Sequence, residues 1–414
     1  MIYSRSGLIP ERVISDLRQL HQVTSNAEGA QRVAWTDNWA RARTWERDKL
    51  SSLPVTIETD AAGNQWTTLQ GQSHKTLLIG GHIDSVPNGG WLDGSLGLVA
   101  GYEVLRHIAS LGVPPVTVRL VDWADEEGRF GRSLLGSSAA AGTLNPDLVR
   151  ELKDKDGVAL PEALEKFGVD IDLAYQAGAE LKNALAYLEL HIEQGPVLES
   201  LDLPMGVVLG TCGVERHTIR FLGQSAHAGS TPMHLRRDAL AAAAKLELEI
   251  REIAQRHGGV CTMGSVTTKP GIVTAVVGQC DCTLDQRHIN ARALAAMLSE
   301  VQVASEKFAQ EEHVGVEWKR IFQIEPILFH HELIEMGEAV IREVVGTSHR
   351  LPSGPLHDAA EIARSGVPTV MLFVQSLQGL SHTKEEDTRE EHLSMAVEAL
   401  DRLAFTTMGW ISKE

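Results

Sequence analysis

The chain has 414 residues, 43% hydrophobic and 22% charged, enough to bury one or more full cores without disulfides; at about 150 residues per domain, two or three domains are expected. Lys and Arg number 38 against 55 Asp and Glu, a formal charge of −17, which argues against nucleic acid or an anionic membrane as partner and favours a small molecule or a protein. Four clustered cysteines (212, 261, 280 and 282), a start (MIYSRSGLIPERV) without a signal peptide's apolar core, and no window of about 18 uninterrupted apolar residues predict a cytoplasmic chain without a disulfide framework or a transmembrane helix.

Ile9, Val13, Ile14, Leu17 and Leu20 recur at helical spacing behind Pro10, which predicts an amphipathic helix over 9–24. Lys75 to Gly81 and Val116 to Ala124 read as buried strands on either side of a helix at 96–111, a βαβ pattern that implies an α/β sheet. Residues 150–185 read as helices outside the sheet, and an apolar approach over 186–190 leads into His191. Near Gly213 the texture changes: a strand at 215–222, an Ala-rich helix at 235–257, two strands between 260 and 286 broken at Lys269-Pro270-Gly271, a helix at 291–311 and a strand at 314–322. That β-α-β-β-α-β order is a ferredoxin-like, split-βαβ domain. The α/β texture returns with a helix from Glu332 to about Val345, a buried strand at 368–374 and a terminal helix from about Arg389. The expectation is an inserted domain at 212–327 within a larger one made of 1–211 and 328–414.

The chemistry concentrates where apolar strands end. One runs into Gly81-His82-Ile83-Asp84, followed by Trp91-Leu92-Asp93-Gly94; the next ends in Asp125-Glu126-Glu127-Gly128; a third runs into His191-Ile192-Glu193-Gln194; a fourth leads through Gly379-Leu380-Ser381 to His382. Ligands gather outside the carboxyl ends of strands in open α/β sheets, so His82, Asp93, Glu126, Glu127, His191 and His382 are expected to project to one edge. Taken singly, a His after a strand is ordinarily a hydrogen-bonded surface or core residue, and paired loop glutamates are ordinarily solvated. Repeated at four strand ends, the mixture of imidazole and carboxylate suits zinc, manganese, cobalt or nickel.

Seven segments in order, GGHIDSVPNGGWLDGSLG, DEEGRFG, HIEQGPVLE, GQSAHAGSTPM, LDQRH, LPSGPLHDAA and GLSHTKEED, resemble the amidase, hydantoinase and carbamoylase branch of the two-metal amidohydrolases, related to co-catalytic metallo-aminopeptidases. That branch contains N-carbamoyl-L-amino acid hydrolases, β-ureidopropionases and allantoate amidohydrolases. The resemblance implies a metallopeptidase-like α/β catalytic domain with a mixed central sheet, an inserted lid and dimerisation domain, and two divalent metal ions per subunit, zinc first, with manganese, cobalt and nickel as alternatives. It implies that His82 and His191 hold one metal, that Glu127 and His382 hold the other, and that Asp93 bridges both. A bridging carboxylate keeps two dications about 3.5–4 Å apart over a shared water of lowered pKa. By the same resemblance Glu126 is the general base, and Asp84 is the acceptor that fixes the His82 tautomer.

In similar enzymes the inserted domain supplies a His that stabilises the oxyanion, here His227, and an Arg that binds the substrate carboxylate, here Arg287. Gln194, Ser353, Gly354 and His357 fall where family members contact substrate, with a supporting role the alternative for His357 and Asp358. Two departures leave the metal chemistry in place, and the first concerns the substrate. Thr274 stands where the family has a substrate-contacting Asn, and Val277 where it has a Pro; a Thr hydroxyl cannot present the amide's donor and acceptor pair. The acidic-pair segment is also one residue short before Arg129.

His331-Glu332-Leu333-Ile334-Glu335 has Glu where a helical zinc motif has its second His, and reads as an ordinary helix face. Cys280 and Cys282 alternate along a strand and read as core residues. No nucleophile elbow, phosphate loop or dinucleotide fingerprint is present. Two hydrolytic expectations remain, cleavage of a carbamoyl, ureido or N-acyl amino acid and cleavage of a dipeptide; a metal-binding protein without catalysis is the remote third. A small carboxylate substrate and a homodimer through the inserted domain are the expected partners.

Overall fold

The computed structural model describes residues 5–413. The chain divides into two compact units, the first comprising the chain up to Leu209 and from Phe329 onward, the second Gly210–Leu328. Among the described residues no helix is long and apolar enough to cross a membrane.

In the first unit, four neighbouring strands run parallel in the order Thr369–Val374, Ala184–Ile192, Thr76–Gly81 and Thr117–Asp122. Antiparallel strands flank them: Met205–Thr211 beside Thr369–Val374, and Gln65–Leu69 then Thr56–Thr59 beyond Thr117–Asp122. The sheet is therefore mixed. Every residue of Thr76–Gly81 and Thr369–Val374 is buried, which is why both read as unbroken apolar runs rather than alternating ones. Helices Pro10–Thr24, Ser95–Ser110 and Glu390–Ile411 pack together on this unit, the first burying Val13, Leu17 and Leu20 along the stripe its spacing predicts. Because the four central strands are parallel, their carboxyl ends share one edge, which carries the predicted ligands, His191 at the end of its strand and the others in the loops that leave it.

Several boundaries differ from expectation. The polar strands Thr56–Thr59 and Gln65–Leu69, the helix Asp37–Leu50 and the strand Met205–Thr211 give no strong periodic signal. His191 lies inside its strand rather than after it. His382 lies in a loop well past the end of its strand at Val374. Helical structure in 150–185 is confined to Leu160–Glu165 and a 3-10 stretch, Ala174–Leu181.

The second unit is an antiparallel sheet with strands in the order Val260–Thr262, Gln279–His288, Gly213–Leu222, Gly315–Ile324. Val266–Lys269 also pairs with Gln279–His288, so the predicted first strand of the 260–286 pair is split in two, and a short strand, Ala275–Val276, precedes the second. Helices Ala239–His257 and Ala291–Glu311 cover one face, where Ile219, Phe221, Cys280, Cys282 and Leu284 meet Leu246, Ile250, Met297 and Val301. Both cysteines are buried in this core as free thiols. His331 sits exposed on a helix, 3.6 Å from Glu335, as an ordinary surface pair.

Candidate metal centre

Five of the six residues predicted to project from the sheet edge are buried: His82, Asp93, Glu126 and His191 almost completely, Glu127 in larger part, while the His382 side chain is 53% exposed. They converge on Asp93. Its Oδ1 lies 3.2 Å from His191 Nε2 and 3.8 Å from His82 Nε2; its Oδ2 lies 3.3 Å from His382 Nε2, which is 3.4 Å from Glu127 Oε2. One carboxylate thus turns one oxygen to a pair of imidazoles and the other to an imidazole and a second carboxylate. His82, Asp93 and His191 form one set able to hold a metal ion, Asp93, Glu127 and His382 a second, and His82 with Glu126 and Glu127 a third.

The tautomers fit metal ligation. His82 Nδ1 faces the main-chain oxygen of Asp84 at 3.2 Å and His191 Nδ1 that of Ile192 at 2.9 Å; a carbonyl only accepts, so each Nδ1 carries a proton and Nε2 is the nitrogen turned toward Asp93. His191 Nε2 is buried, and among the described residues it faces the Asp93 carboxylate rather than a main-chain partner. The charges fit as well. Burial works against a charge on Asp93, yet the imidazoles of His191, His382 and His82 hold its carboxyl well below the usual range. Burial, reinforced by Asp358, Glu127, Asp84 and Asp93, pushes Glu126 well above it, and burial with Asp93 and Asp84 does the same to Glu127. A buried space with more carboxylate than imidazole is one that divalent cations neutralise.

Local structure explains the placement. Gly94, next to Asp93, has φ 65°, and a side chain there would run into the His82 ring, so only glycine lets His82 and Asp93 approach. The Asp84 carboxylate accepts from the amides of Glu126 (3.3 Å) and Glu127 (3.2 Å). This corrects the expected role of Asp84: its nearest carboxylate oxygen is 3.6 Å from His82 Nδ1, and its main-chain oxygen is the closer partner, so the side chain chiefly holds the Glu126-Glu127 turn. Glu127 Oε1 accepts from Val86 N at 3.2 Å, which aims Oε2 at His382. Asp125, at φ 57°, is held by Trp35 Nε1 (3.0 Å) and the Arg129 amide (2.8 Å). The Arg129 guanidinium goes to the carbonyls of Ala34 and Trp35 and to Asp154.

Of the predicted substrate contacts in the first unit, Gln194 Nε2 donates to Asp93 Oδ2 (3.0 Å) and Ser381 Oγ (2.9 Å). The Ser353 hydroxyl is buried and donates to Pro355 O (2.8 Å), with Gly354 between them. The His357 ring stands 4.4 Å from that of His191, and burial, with repulsion from the His191 imidazole, keeps its pKa well below the usual value. Asp358 is fully buried beside it.

In the second unit, exposed His227 accepts from the Gly229 amide at Nδ1 (3.1 Å), which leaves Nε2 carrying the proton. Arg287 donates from Nε to Asp285 Oδ1 (2.8 Å), and Asp285 also receives Arg216 (2.6 Å). The main-chain oxygen of Thr274 accepts from Ala228 N (2.8 Å).

Three supporting groups escaped the sequence reading. Glu386 is 2% exposed and its Oε1 accepts from the amides of Leu92 and Asp93, both at 3.0 Å. Ser376 Oγ accepts from the Gln194 amide at 3.0 Å. Arg32 lies buried behind the His82 turn. Only Glu386 had a sequence signal, the acidic KEED run after His382.

Residues 78–406 match the family described as Peptidase family M20/M25/M40. The chain is 35% identical to an N-carbamoyl-L-amino acid amidohydrolase of Geobacillus stearothermophilus, over 94% of this chain and 96% of that one. It is 33% identical to an allantoate amidohydrolase of Escherichia coli (strain K12), over 93% and 94%. A crystal structure of an amidase of the hydantoinase/carbamoylase family from Burkholderia multivorans superposes with TM-score 0.89 at 29% identity, covering 99% of this chain and 100% of that one.

Proposed function

The chain belongs to peptidase family M20/M25/M40 and is a hydrolytic enzyme, and from that premise we propose that it hydrolyses the carbamoyl or ureido C–N bond of an N-carbamoyl-L-amino acid or an allantoate-like ureido acid. The observation that carries the reading is the placement of Asp93 between two ligand sets with Glu126 alongside. A site built only to bind metal has no need of that additional acid. The names of the relatives support the substrate class.

His82 and His191 would hold one divalent ion, Glu127 and His382 the other, and Asp93 both, with zinc first among zinc, manganese, cobalt and nickel. Ions bound there supply Lewis acidity to the scissile carbonyl and acidify the attacking water. Glu126 takes a proton from that water and returns it to the leaving nitrogen, a task suited to a buried carboxyl that holds a proton readily. Asp84 fixes the main chain of Glu126 while it does so. The Nε2–H of His227 donates to the developing oxyanion, and Arg287, oriented by Asp285, pairs with the substrate carboxylate. Gln194, Thr274, Ser353, Gly354 and His357 complete the proposed substrate contacts. The working form is a cytoplasmic homodimer formed through residues 212–327.

The test is an activity screen of the metal-reconstituted protein on N-carbamoyl, N-formyl and N-acyl amino acids, allantoate and dipeptides, recording ammonia together with product mass. Hydrolysis of a carbamoyl or ureido acid with ammonia release is expected. Turnover confined to dipeptides or N-acyl amino acids without ammonia would replace this reading with a peptidase or deacylase one, to which the family description and the Thr274 departure give some footing.

A further inference from the structure

Arg32 is fully buried, an unusual position for a guanidinium outside a direct ion pair. Its Nε donates to the main-chain oxygen of Ile83 at 2.7 Å, between His82 and Asp84. Its own backbone is clamped to the same turn: Arg32 N donates to Ser85 Oγ and Ser85 N donates to Arg32 O, both at 3.1 Å. The other end of the fork turns to a second loop, with Nη2 3.5 Å from Ser95 Oγ. Ser95 closes the Asp93 turn, its amide donating to Asp93 O at 2.7 Å and its hydroxyl to Trp91 O at 2.9 Å. Nη1 is buried with no hydrogen-bond partner among the described residues.

The guanidinium is thus held by neutral oxygens and joins the loop carrying His82 to the loop carrying Asp93. Its charge is balanced at longer range by Glu386, Asp84, Asp93 and Glu127. A planar fork can reach both loops at once, which the single ammonium of lysine cannot.

We propose that Arg32 is a positioning residue, a buried cation that locks the His82 and Asp93 loops together and thereby sets the affinity of the centre for divalent metal. The inference rests on the reading of that centre as a metal site. Removing an outer partner that orients metal ligands costs about 10- to 100-fold in metal affinity.

The experiment is calorimetric titration of Mn2+ into the chelator-treated full-length protein and its Arg32→Met and Arg32→Lys variants, with melting temperature read metal-free and metal-loaded. Arg32→Met is expected to weaken Mn2+ binding about 10- to 100-fold and to show a smaller metal-induced rise in melting temperature than wild type. Arg32→Lys, which keeps the charge and one hydrogen bond, is expected to recover part of the loss while remaining at least about threefold weaker than wild type. A purely structural arginine would lower both melting temperatures equally and leave Mn2+ affinity within about twofold, and that result overturns the proposal. If Arg32→Met does not fold, Arg32→Lys alone decides, and wild-type affinity in it overturns the proposal too. Failure of the wild-type protein to bind Mn2+ or any of the other candidate metals would instead overturn the metal-centre reading on which the inference stands.

Discussion

Removing the Glu386 carboxylate isolates one contribution to how Asp93 is held. Its Oε1 accepts two main-chain amides, Leu92 and Asp93, each at 3.0 Å, and Ser381 Oγ lies 3.1 Å from Oε2. A hydrogen bond to a charged acceptor contributes about 1.5–3 kcal/mol, so stranding both amides in Glu386→Ala costs about 3–6 kcal/mol. Burial, with Asp93 close by, pushes the carboxyl up to about 7, so near neutral pH part of the population already carries a proton and accepts more weakly. The lower end, about 3 kcal/mol, is therefore expected, a large share of the 5–15 kcal/mol that typically separates folded from unfolded chains. Glu386→Gln keeps a carbonyl oxygen facing both amides and is expected to cost under about 1 kcal/mol. Urea unfolding of the chelated protein, followed by tryptophan fluorescence, reads the right unit, because all tryptophans except Trp318 lie in the first one. A Glu386→Ala variant within about 1 kcal/mol of wild type, or a Glu386→Gln variant as damaged as the alanine one, would refute the reasoning.

Glu126→Gln is expected to lower kcat by about 10²–10⁴ while elemental analysis finds wild-type metal content; loss of metal would instead make Glu126 a ligand. Asp93→Ala and His382→Ala should lose metal and activity together, and an active metal-depleted variant would contradict the ligand assignment. Arg287→Ala should raise KM for carboxylate substrates about 10- to 100-fold with a smaller change in kcat, and an unchanged KM removes it from substrate binding. Burial, then Asp122, pushes buried Glu46 up to about 8. The folded chain there keeps a proton that the unfolded chain releases near 4.5, so this group's contribution to stability falls as pH climbs between those values. Glu46→Gln should flatten the urea midpoint between pH 5 and 8; a slope as steep as wild type would exclude Glu46 as its source.

The residues around Asp93 were legible as a group because a parallel sheet brings successive strand ends to one edge, which places His82, the Glu126-Glu127 pair and His191 together, whereas His382, eight residues past Val374, follows from the loop after the fourth strand. Asp84 was legible as a participant but not in its role, since one residue offers both a main-chain oxygen and a carboxylate, and only the turn of Ile83 and Asp84 decides which reaches His82. Arg32 left no mark in the sequence: its partners lie 51 to 63 positions away and include a main-chain oxygen, which any residue supplies. The strands Thr56–Thr59 and Gln65–Leu69 were hidden by their polar, threonine-rich composition, which matches neither a buried run nor a clean alternation. Arg287 was readable as a strand arginine, whereas its partner Asp285, two positions earlier on the same face, is fixed by pairing that also brings Arg216 opposite.

The most direct test of the central claim is ammonia release from N-carbamoyl-L-amino acids and allantoate by chelator-treated protein, before and after addition of zinc, manganese, cobalt or nickel. Negligible release before addition and restored release after it, matched mole for mole by the expected product, is the predicted result. Release that persists undiminished in the chelated protein, or none from any carbamoyl or ureido acid with any of the four metals, would contradict it.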